Sequence, residues 1–326
     1  MEKKDIIGDL HSLVSHNVIG DKQLFSRYKG FRSELQCEAF IKSKYPKYKH
    51  LKGGVIISKE VGSESSLDNS IYFTTISKNE TLESYLKIYE SLKSIFEEMF
   101  IITYNEDNWE SSPVMVYKDK TVNLPVPKFE IFEFNKELNE FELRGDEIEI
   151  LTDLLTSKSV RSRNRYPIKE DTLDWLQTEL VQFDLEDLIS IYCSRLIFDG
   201  FIGFLKNKGK SSDIDLILEK NGGTYKHIEI KEKDLPKKNK KGFGLDIPRI
   251  IDLHRIQKES NIEYIIIVKH INNQSERKLV NWKSIALSDF IEDVRDEEEV
   301  KGGTGMRSSN SYNPTLICDF DLFNDL

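Results

Sequence analysis

The chain has 326 residues, with 47 Lys and Arg against 56 Asp and Glu, a formal net charge of −9, 38% hydrophobic residues and 32% charged ones. That length is enough for two domains of ordinary size, each with a real core. The acidic total excludes a protein that coats nucleic acid or an anionic membrane by bulk attraction, though not an enzyme that binds nucleic acid through a local patch. The three cysteines, Cys37, Cys193 and Cys318, are far apart and odd in number. They draw neither a disulfide framework nor a zinc site, which suits a reducing cytoplasm. The N-terminal "MEKKDIIGDLHSLVSHNVIGDK" lacks the apolar core and small-residue cleavage site of a signal peptide. No run approaches the ~18 apolar residues of a membrane span. The expectation is a soluble cytoplasmic protein with no membrane partner.

In chain order, residues 1–45 read as helical, with "FRSELQCEAFIKSKY" amphipathic through Leu35, Ala39 and Phe40. "GGVIIS" and "SIYFTTIS" are β-branched and aromatic runs that predict strands, with a polar loop between them. Over 80–100, Leu82, Tyr85, Leu86, Tyr89, Leu92, Phe96 and Met99 recur at spacings of three and four, which predicts a helix packed on a sheet through one apolar stripe. "FIITY", "VMVYK", "VNLPVPKFEIFEF" and "FELRG" follow as strands. The first 155 residues therefore read as an α+β domain, and the polar, Arg-rich stretch 156–172 as a linker.

The remainder, 173–326, alternates. A helix at "DLEDLISIYCSRLIF" is followed by three short strands, "GFIGFLK", "DIDLILE" and "YKHIEIK". A basic loop, a helix at "IPRIIDLHRIQKES" and a buried strand at "IEYIIIVKH" complete the order α-β-β-β-α-β. That order predicts a mixed central sheet flanked by helices, an α/β domain within a chain that is α+β overall.

Four charges interrupt the two strands around the Gly-Gly turn. Alternation puts Asp213 and Asp215 on one face of the first strand, and Glu229 and Lys231 on one face of the second, opposite Ile228 and Ile230. Paired as a hairpin, the strands bring an aspartate, the glutamate and the lysine to one edge. Buried charges are costly unless paired with one another or with a metal. Cross-strand ion pairing is the plain explanation; the chemical one is a hydrolytic site. Carboxylates hold Mg²⁺ through hard oxygen ligands, the ion polarises a phosphoryl oxygen, and a lysine beside it orients the attacking water.

An aspartate, then a glutamate and a lysine as Glu-x-Lys, within α-β-β-β-α-β, resembles the PD-(D/E)xK nuclease superfamily, the restriction-endonuclease-like fold. The resemblance covers residues 180–290. It implies that Asp215 or Asp213 is the strand aspartate, Glu229 the second acid and Lys231 the lysine, with Glu186 in "LEDLI" as the added helix glutamate. Asp213, Asp215, Glu229 and Glu186 would be the metal ligands. No proline precedes either aspartate, which departs from the family's pattern. The resemblance further implies a Mg²⁺-dependent endonuclease, with Mn²⁺ able to substitute, acting on DNA as a homodimer like a prokaryotic type II restriction enzyme. An antiphage-defence effector awaiting a partner or signal, and a non-catalytic DNA-binding module, are the alternatives, and RNA remains open as substrate.

Residues 201–250 carry 12 Lys or Arg against 7 Asp or Glu, a basic window in an acidic chain. Lys208, Lys210, Lys238, Lys240, Lys241 and Arg249 are its candidates for phosphate contact. The stretch "KGGTGMRSSNSYNP" lacks the phosphate-loop pattern and reads as a DNA-contacting loop or a linker.

Overall fold

The computed structural model describes residues 2–16, 21–60, 62, 64–116, 120–155, 171–202, 209–220, 223–236, 241–301 and 314–326. The linker at 156–170 and the glycine-rich loop at 302–313 lie outside them. Two units form: Met1–Arg32 with Gly54–Asp213, and Ser33–Gly53 with Ile214–Leu326. The division differs from the expected 1–155 and 173–326. Residues 171–213 go with the first unit, and a segment near the N-terminus goes with the second.

The first unit contains α1 (Lys3–His16) and the start of α2 (Asp21–Lys44). Its strands are the end of β1 (Lys49–Ser58), β2 (Ser70–Ser77), β3 (Glu98–Val116), β4 (Lys120–Asn135) and β5 (Glu140–Gly145), hydrogen-bonded in that order. Strands β2 and β3 are parallel, joined through α3 (Leu86–Leu92), and the other neighbours are antiparallel. Every residue of β2 is buried, as its unbroken β-branched and aromatic sequence requires. Helices α4 (Glu149–Asp153), α5 (Asp171–Leu180) and α6 (Leu185–Arg195) follow.

Two expectations for this unit are corrected. The helix expected over 80–100 is shorter: a 3-10 turn, Leu82–Tyr85, leads into α3, and the chain is already β3 from Glu98. Tyr85, Tyr89, Leu92, Phe96 and Met99 are all buried, the last two from the turn and the strand. Helical spacing persists in the sequence because turn and strand feed the same core, where Tyr72 contacts both Tyr89 and Phe96. The strand expected at "GFIGFLK" is also not found in its described part. Helix α6 runs instead into a π-helical turn, Leu196–Ile202. Asp199, fully buried there, pairs with Arg27, and Gly200 lies against Leu13 and Val114. A buried ion pair and a tight approach hold this wide turn where an extended strand would expose both.

The second unit contains the rest of α2 and β1, then β6 (Ser211–Lys220) from Ile214, β7 (Thr224–Lys233), β8 (Gly242–Asp246), α7 (Ile247–Ser260), β9 (Glu263–Ile271), β10 (Leu279–Ala286) and α8 (Leu287–Val294). Short strands β11 (Val300–Lys301), β12 (Pro314–Asp319) and β13 (Asn324–Asp325) complete it. The main strands run β13-β10-β9-β7-β6-β1, and β11-β12-β8 form a small separate sheet. Strands β6 and β7 are antiparallel; β7 and β9 are parallel, with α7 as the crossover; β9 and β10 are antiparallel. One face of this mixed sheet is apolar: Leu216, Leu218, Ile228, Ile230, Ile267 and Trp282 pack with Cys37 and Ile41 of α2. Helix α7 serves the other face.

Taken in chain order, this unit reads α2-β1-β6-β7-α7-β9, with β8 diverted to the small sheet. Strand β1 stands where "GFIGFLK" was expected. It lies so close to β6 that a Cβ on Gly53 would fall 1.6 Å from the carbonyl oxygen of Ile214. Backbone cannot yield as a side-chain end can. Gly53→Ala should therefore destabilise the protein by more than about 2 kcal/mol, read as a lowered melting temperature, while Gly8→Ala, with open space around it, should not.

Candidate active site

Alternation fixes the faces of β7. Ile228 and Ile230 enter the apolar cluster under α2, so His227, Glu229, Lys231 and Lys233 turn to the opposite face. Helix α7 begins directly after β8 with Pro248 in its first turn, where proline costs no hydrogen bond. The next residue is Arg249.

Glu229 is fully buried. Its Oε1 accepts from Nε of Arg249 at 2.9 Å, and its Oε2 accepts from a terminal nitrogen of the same guanidinium, a two-point fork. Lys231 Nζ is 2.5 Å from Oε1. Burial by itself raises the carboxyl pKa, but the charges of Arg249 and then Lys231 outweigh it and bring it from 4.5 down to about 2. Lys233 shares the face. Burial, and then the charge of Lys231, pulls its ammonium below the usual range, against Asp246, Asp234 and Glu229.

The β6–β7 ladder runs from Leu216↔Ile228 to Lys220↔Thr224. Next to its open end, Oδ2 of Asp215 accepts a hydrogen bond from the amide of Ile230 at 2.6 Å. Asp213, half-buried, lies two residues earlier on the same face of β6. The structure thus brings Glu229, Lys231 and Arg249 together, with Asp215 bonded to the same strand.

The other expected residues fall elsewhere. Glu186 belongs to the first unit and is exposed in the first turn of α6, where an acid suits the helix N-terminus. Lys210, also in the first unit, is exposed and bonds the carbonyl of Glu64. Lys241 is exposed just before β8 in the second. Lys208, Lys238 and Lys240 lie outside the described residues. Arg249, expected at phosphate, is committed to Glu229.

This donor set does not fit the expected ion as it stands. Mg²⁺ takes about six hard oxygen ligands. Here both oxygens of Glu229 accept from cations and one of Asp215 accepts from an amide. Among the described residues no three acidic, imidazole or thiol groups form a set that could hold a metal.

Sequence reasoning missed three features. The first is the fork from Arg249, for which an arginine 20 positions beyond Glu229 gives no signal. The second is the helix acids of this unit, Glu34 and Glu38 on α2. Burial raises the Cys37 thiol pKa, and the charges of Glu38, Asp215 and Glu34 raise it further. Glu38 also holds Lys52 at 3.0 Å. The "SELQCE" helix followed by "GGVIIS" carried the same helix-then-strand signal as "LEDLI". The third is a network on the apolar side. Glu232 accepts from Ser33 of α2 at 2.8 Å and from Lys269 of β9 at 2.7 Å, and pairs with Arg277, whose φ is +53°. Sequence distance hid it.

No protein-family model matches the chain, and no curated protein matches it. Among solved structures the chain is similar to Archaeoglobus fulgidus Hjc, a Holliday junction resolvase from an archaeal hyperthermophile. The two are 15% identical, the match covers 34% of this chain and 68% of that one, and the TM-score is 0.20. At that score the likeness carries no argument about chemistry. No described helix is long and apolar enough to cross a membrane.

Buried groups of the second unit make stability fall in acid, and two of them lie on one face of β7. His227 is fully buried against Tyr264, and burial lowers its pKa from 6.5 to about 3. Below pH 6.5 the unfolded chain takes up a proton that the folded one refuses, so this contribution is intact above 6.5 and is lost as pH falls toward 3. Glu229, lowered from 4.5 to about 2, adds loss below 4.5 in the same direction. Urea melts of wild type should show stability falling from pH 6.5 downward, each such group contributing up to about 1.4 kcal/mol per pH unit. His227→Phe should lose stability less steeply than wild type between pH 6.5 and about 4.5, the residual slope coming from His50, whose imidazole burial also holds below its usual pKa; an unchanged profile would remove His227 from this account.

Proposed function

We propose that the chain is a metal-dependent nuclease of the PD-(D/E)xK type acting on DNA. The observation that carries this reading is the second unit's order α2-β1-β6-β7-α7-β9, with Glu229 and Lys231 on one face of β7 and Asp215 on the adjoining strand. The first helix and strand of the core are then α2 and β1, and Glu34, rather than Glu186, stands in the helix-acid position. Either Asp215 or Asp213 remains the strand aspartate, and the hydrogen bond from Ile230 favours Asp215.

Mg²⁺, or Mn²⁺ in its place, is the proposed cofactor, and the chemistry such an ion supplies is polarisation of a phosphoryl oxygen and acidification of a bound water. Lys231 is about one-third exposed (32%) while Glu229 is not exposed at all. Its ammonium is thus the group able to meet a phosphate oxygen or a water while its other contact holds the carboxylate. The geometry suits donation and charge stabilisation at the phosphoryl group. A site-specific endonuclease working as a homodimer is the leading form. The second form, a defence effector silent until a partner or signal arrives, draws support from the engagement of both Glu229 oxygens.

Plasmid DNA with Mg²⁺, beside an EDTA control, is the test. Cleavage should need the ion, and Lys231→Ala should lower it by at least ~10²-fold with binding retained. Glu34→Gln should cut activity strongly and Glu186→Gln should leave it unchanged. The reverse pattern would return the core to residues 173–326. Binding without turnover under every condition would favour a DNA-binding module.

A further inference from the structure

The segment Ser33–Gly53 that opens the second unit carries its charge unevenly. Glu34 and Glu38 stand on α2, and Lys42, Lys44, Lys47, Lys49 and Lys52 follow, with no aspartate, glutamate or arginine over 39–53. In a chain whose acids outnumber its cations, this is a concentrated run of one sign. Lys42, Lys44, Lys47 and Lys49 are exposed, and Lys52 is half-buried. Glu38 holds Lys52 at 3.0 Å and lies 3.9 Å from Lys42. On the sheet face under α2, Lys226 pairs with Glu263 and that pair cancels, while exposed Lys220 at the end of β6 adds a cation. Glu219 turns to the other face by alternation, and Asp325 is held by Lys283 and Asn281. Burial, and then the charge of Lys42, lower the His50 pKa, so this imidazole adds no charge at neutral pH.

Lys42 and Lys44 lie in the last turn of α2, where cations suit the helix dipole. That reason does not reach Lys47, in the turn, or Lys49, which opens β1. The turn itself is fixed. Tyr45 and Tyr48 stack with ring centroids 5.2 Å apart and pack on the apolar cluster of Leu218, Ile228 and Trp282. The amide of Tyr48 donates to the carbonyl of Tyr45 at 3.0 Å. The lysines therefore project from a preorganised backbone, and binding orders side chains alone.

We propose that the α2–β1 turn is a docking surface for the backbone of a nucleic-acid duplex, with Lys44, Lys47 and Lys49 as its phosphate contacts. Lysine meets phosphate as a point charge. The segment has no guanidinium fork to read a base edge, and its tyrosine rings are stacked on each other against the core rather than open to a base. The contact is therefore independent of sequence. Aromatic side chains that anchor a basic surface in a bilayer point outward; here they pack inward, which favours nucleic acid over an anionic membrane. The identity of the polymer rests on the nuclease reading, while the place that holds it is the new content.

Fluorescence anisotropy of the full chain with short labelled duplexes, in EDTA and over a range of salt, tests this apart from cleavage. Lys44→Gln/Lys47→Gln/Lys49→Gln should bind about tenfold more weakly or worse at low salt. Its plot of log affinity against log salt should be shallower by about 3, near 1 per phosphate contact. Two duplexes of unrelated sequence should lose equally. Lys4→Gln/Lys87→Gln/Lys258→Gln, which removes the same charge from exposed positions elsewhere, should keep the wild-type slope. Where the first triple variant melts lower than wild type, Lys47→Gln alone decides through a slope change of about 1. An unchanged slope in the turn variants, or an equal loss in both triple variants, would overturn the surface. So would lysine-dependent binding to phosphatidylserine vesicles with no binding to either duplex. Failure of the nuclease reading is separately visible. Binding that depends on these lysines, with no DNA cut under any condition, keeps the surface and removes the nuclease. Cutting by a chain whose binding ignores them does the reverse.

Discussion

Everything on the polar face of the second unit follows from one buried carboxylate. A glutamate with no solvent exposure must be paid for by opposite charge, and the chain supplies that charge from two directions. Lys231 comes from two residues along the same strand. Arg249 comes from the first turn of the helix that crosses back to make β9 parallel to β7. The crossover therefore does two jobs: it closes the parallel pair, and it brings a guanidinium over the strand. The low pKa of Glu229 is the thermodynamic form of the same statement. The ionised carboxylate belongs to the folded state, and protonating it would leave two cations facing a neutral group.

The opposite face of β7 is organised by a second carboxylate with the same logic. Glu232 joins Ser33 on α2, Lys269 on β9 and Arg277 in the turn before β10. Burial would raise its pKa, but Lys269, Arg277 and Ser33 together lower it. A hydrogen bond from Ser33 fixes the register of α2 on the sheet more sharply than the apolar contacts of Cys37 and Ile41 can, because hydrophobic contact is not directional. Since Glu34 is the next residue, the network also sets where that acid stands along the strands. Two adjoining ionic clusters, one on each face of β7, thus position the groups that the nuclease reading uses.

Much of this was legible locally. The alternation in "DIDLILE" and "YKHIEIK" gave the two strands and their faces, and "IPRIIDLHRIQKES" gave α7 with its proline start. Glu229 and Lys231 meet as that alternation requires. What failed were inferences from adjacency. "GFIGFLK" has strand composition, yet Asp199 and Gly200 are held in a π-helical turn by Arg27 and by packing against Leu13 and Val114. "LEDLI" precedes the hairpin in sequence, but the helix packed on that hairpin is α2. Phe96 and Met99 keep the spacing of α3 although one lies beyond the helix and the other in β3. In each case a partner distant in sequence overrode a local preference, and a single sequence carries no record of such partners.

That same distance shapes how the second unit can assemble. Its part of β1 ends at Gly53 and its part of β6 begins at Ile214, with residues 54–213 between them in the chain, yet the two backbones touch. Loop-closure entropy grows only with the logarithm of the excursion, so the long detour costs little more in stability than a short one. Its effect is on rate, because the β1–β6 contact forms only after a closure of high contact order. The local pieces, the β6–β7 hairpin and α7 with β9, can form early and already contain Glu229, Lys231 and Arg249. The register of α2 and the position of Glu34 must wait for the long closure, so the charged center can precede the site that would use it.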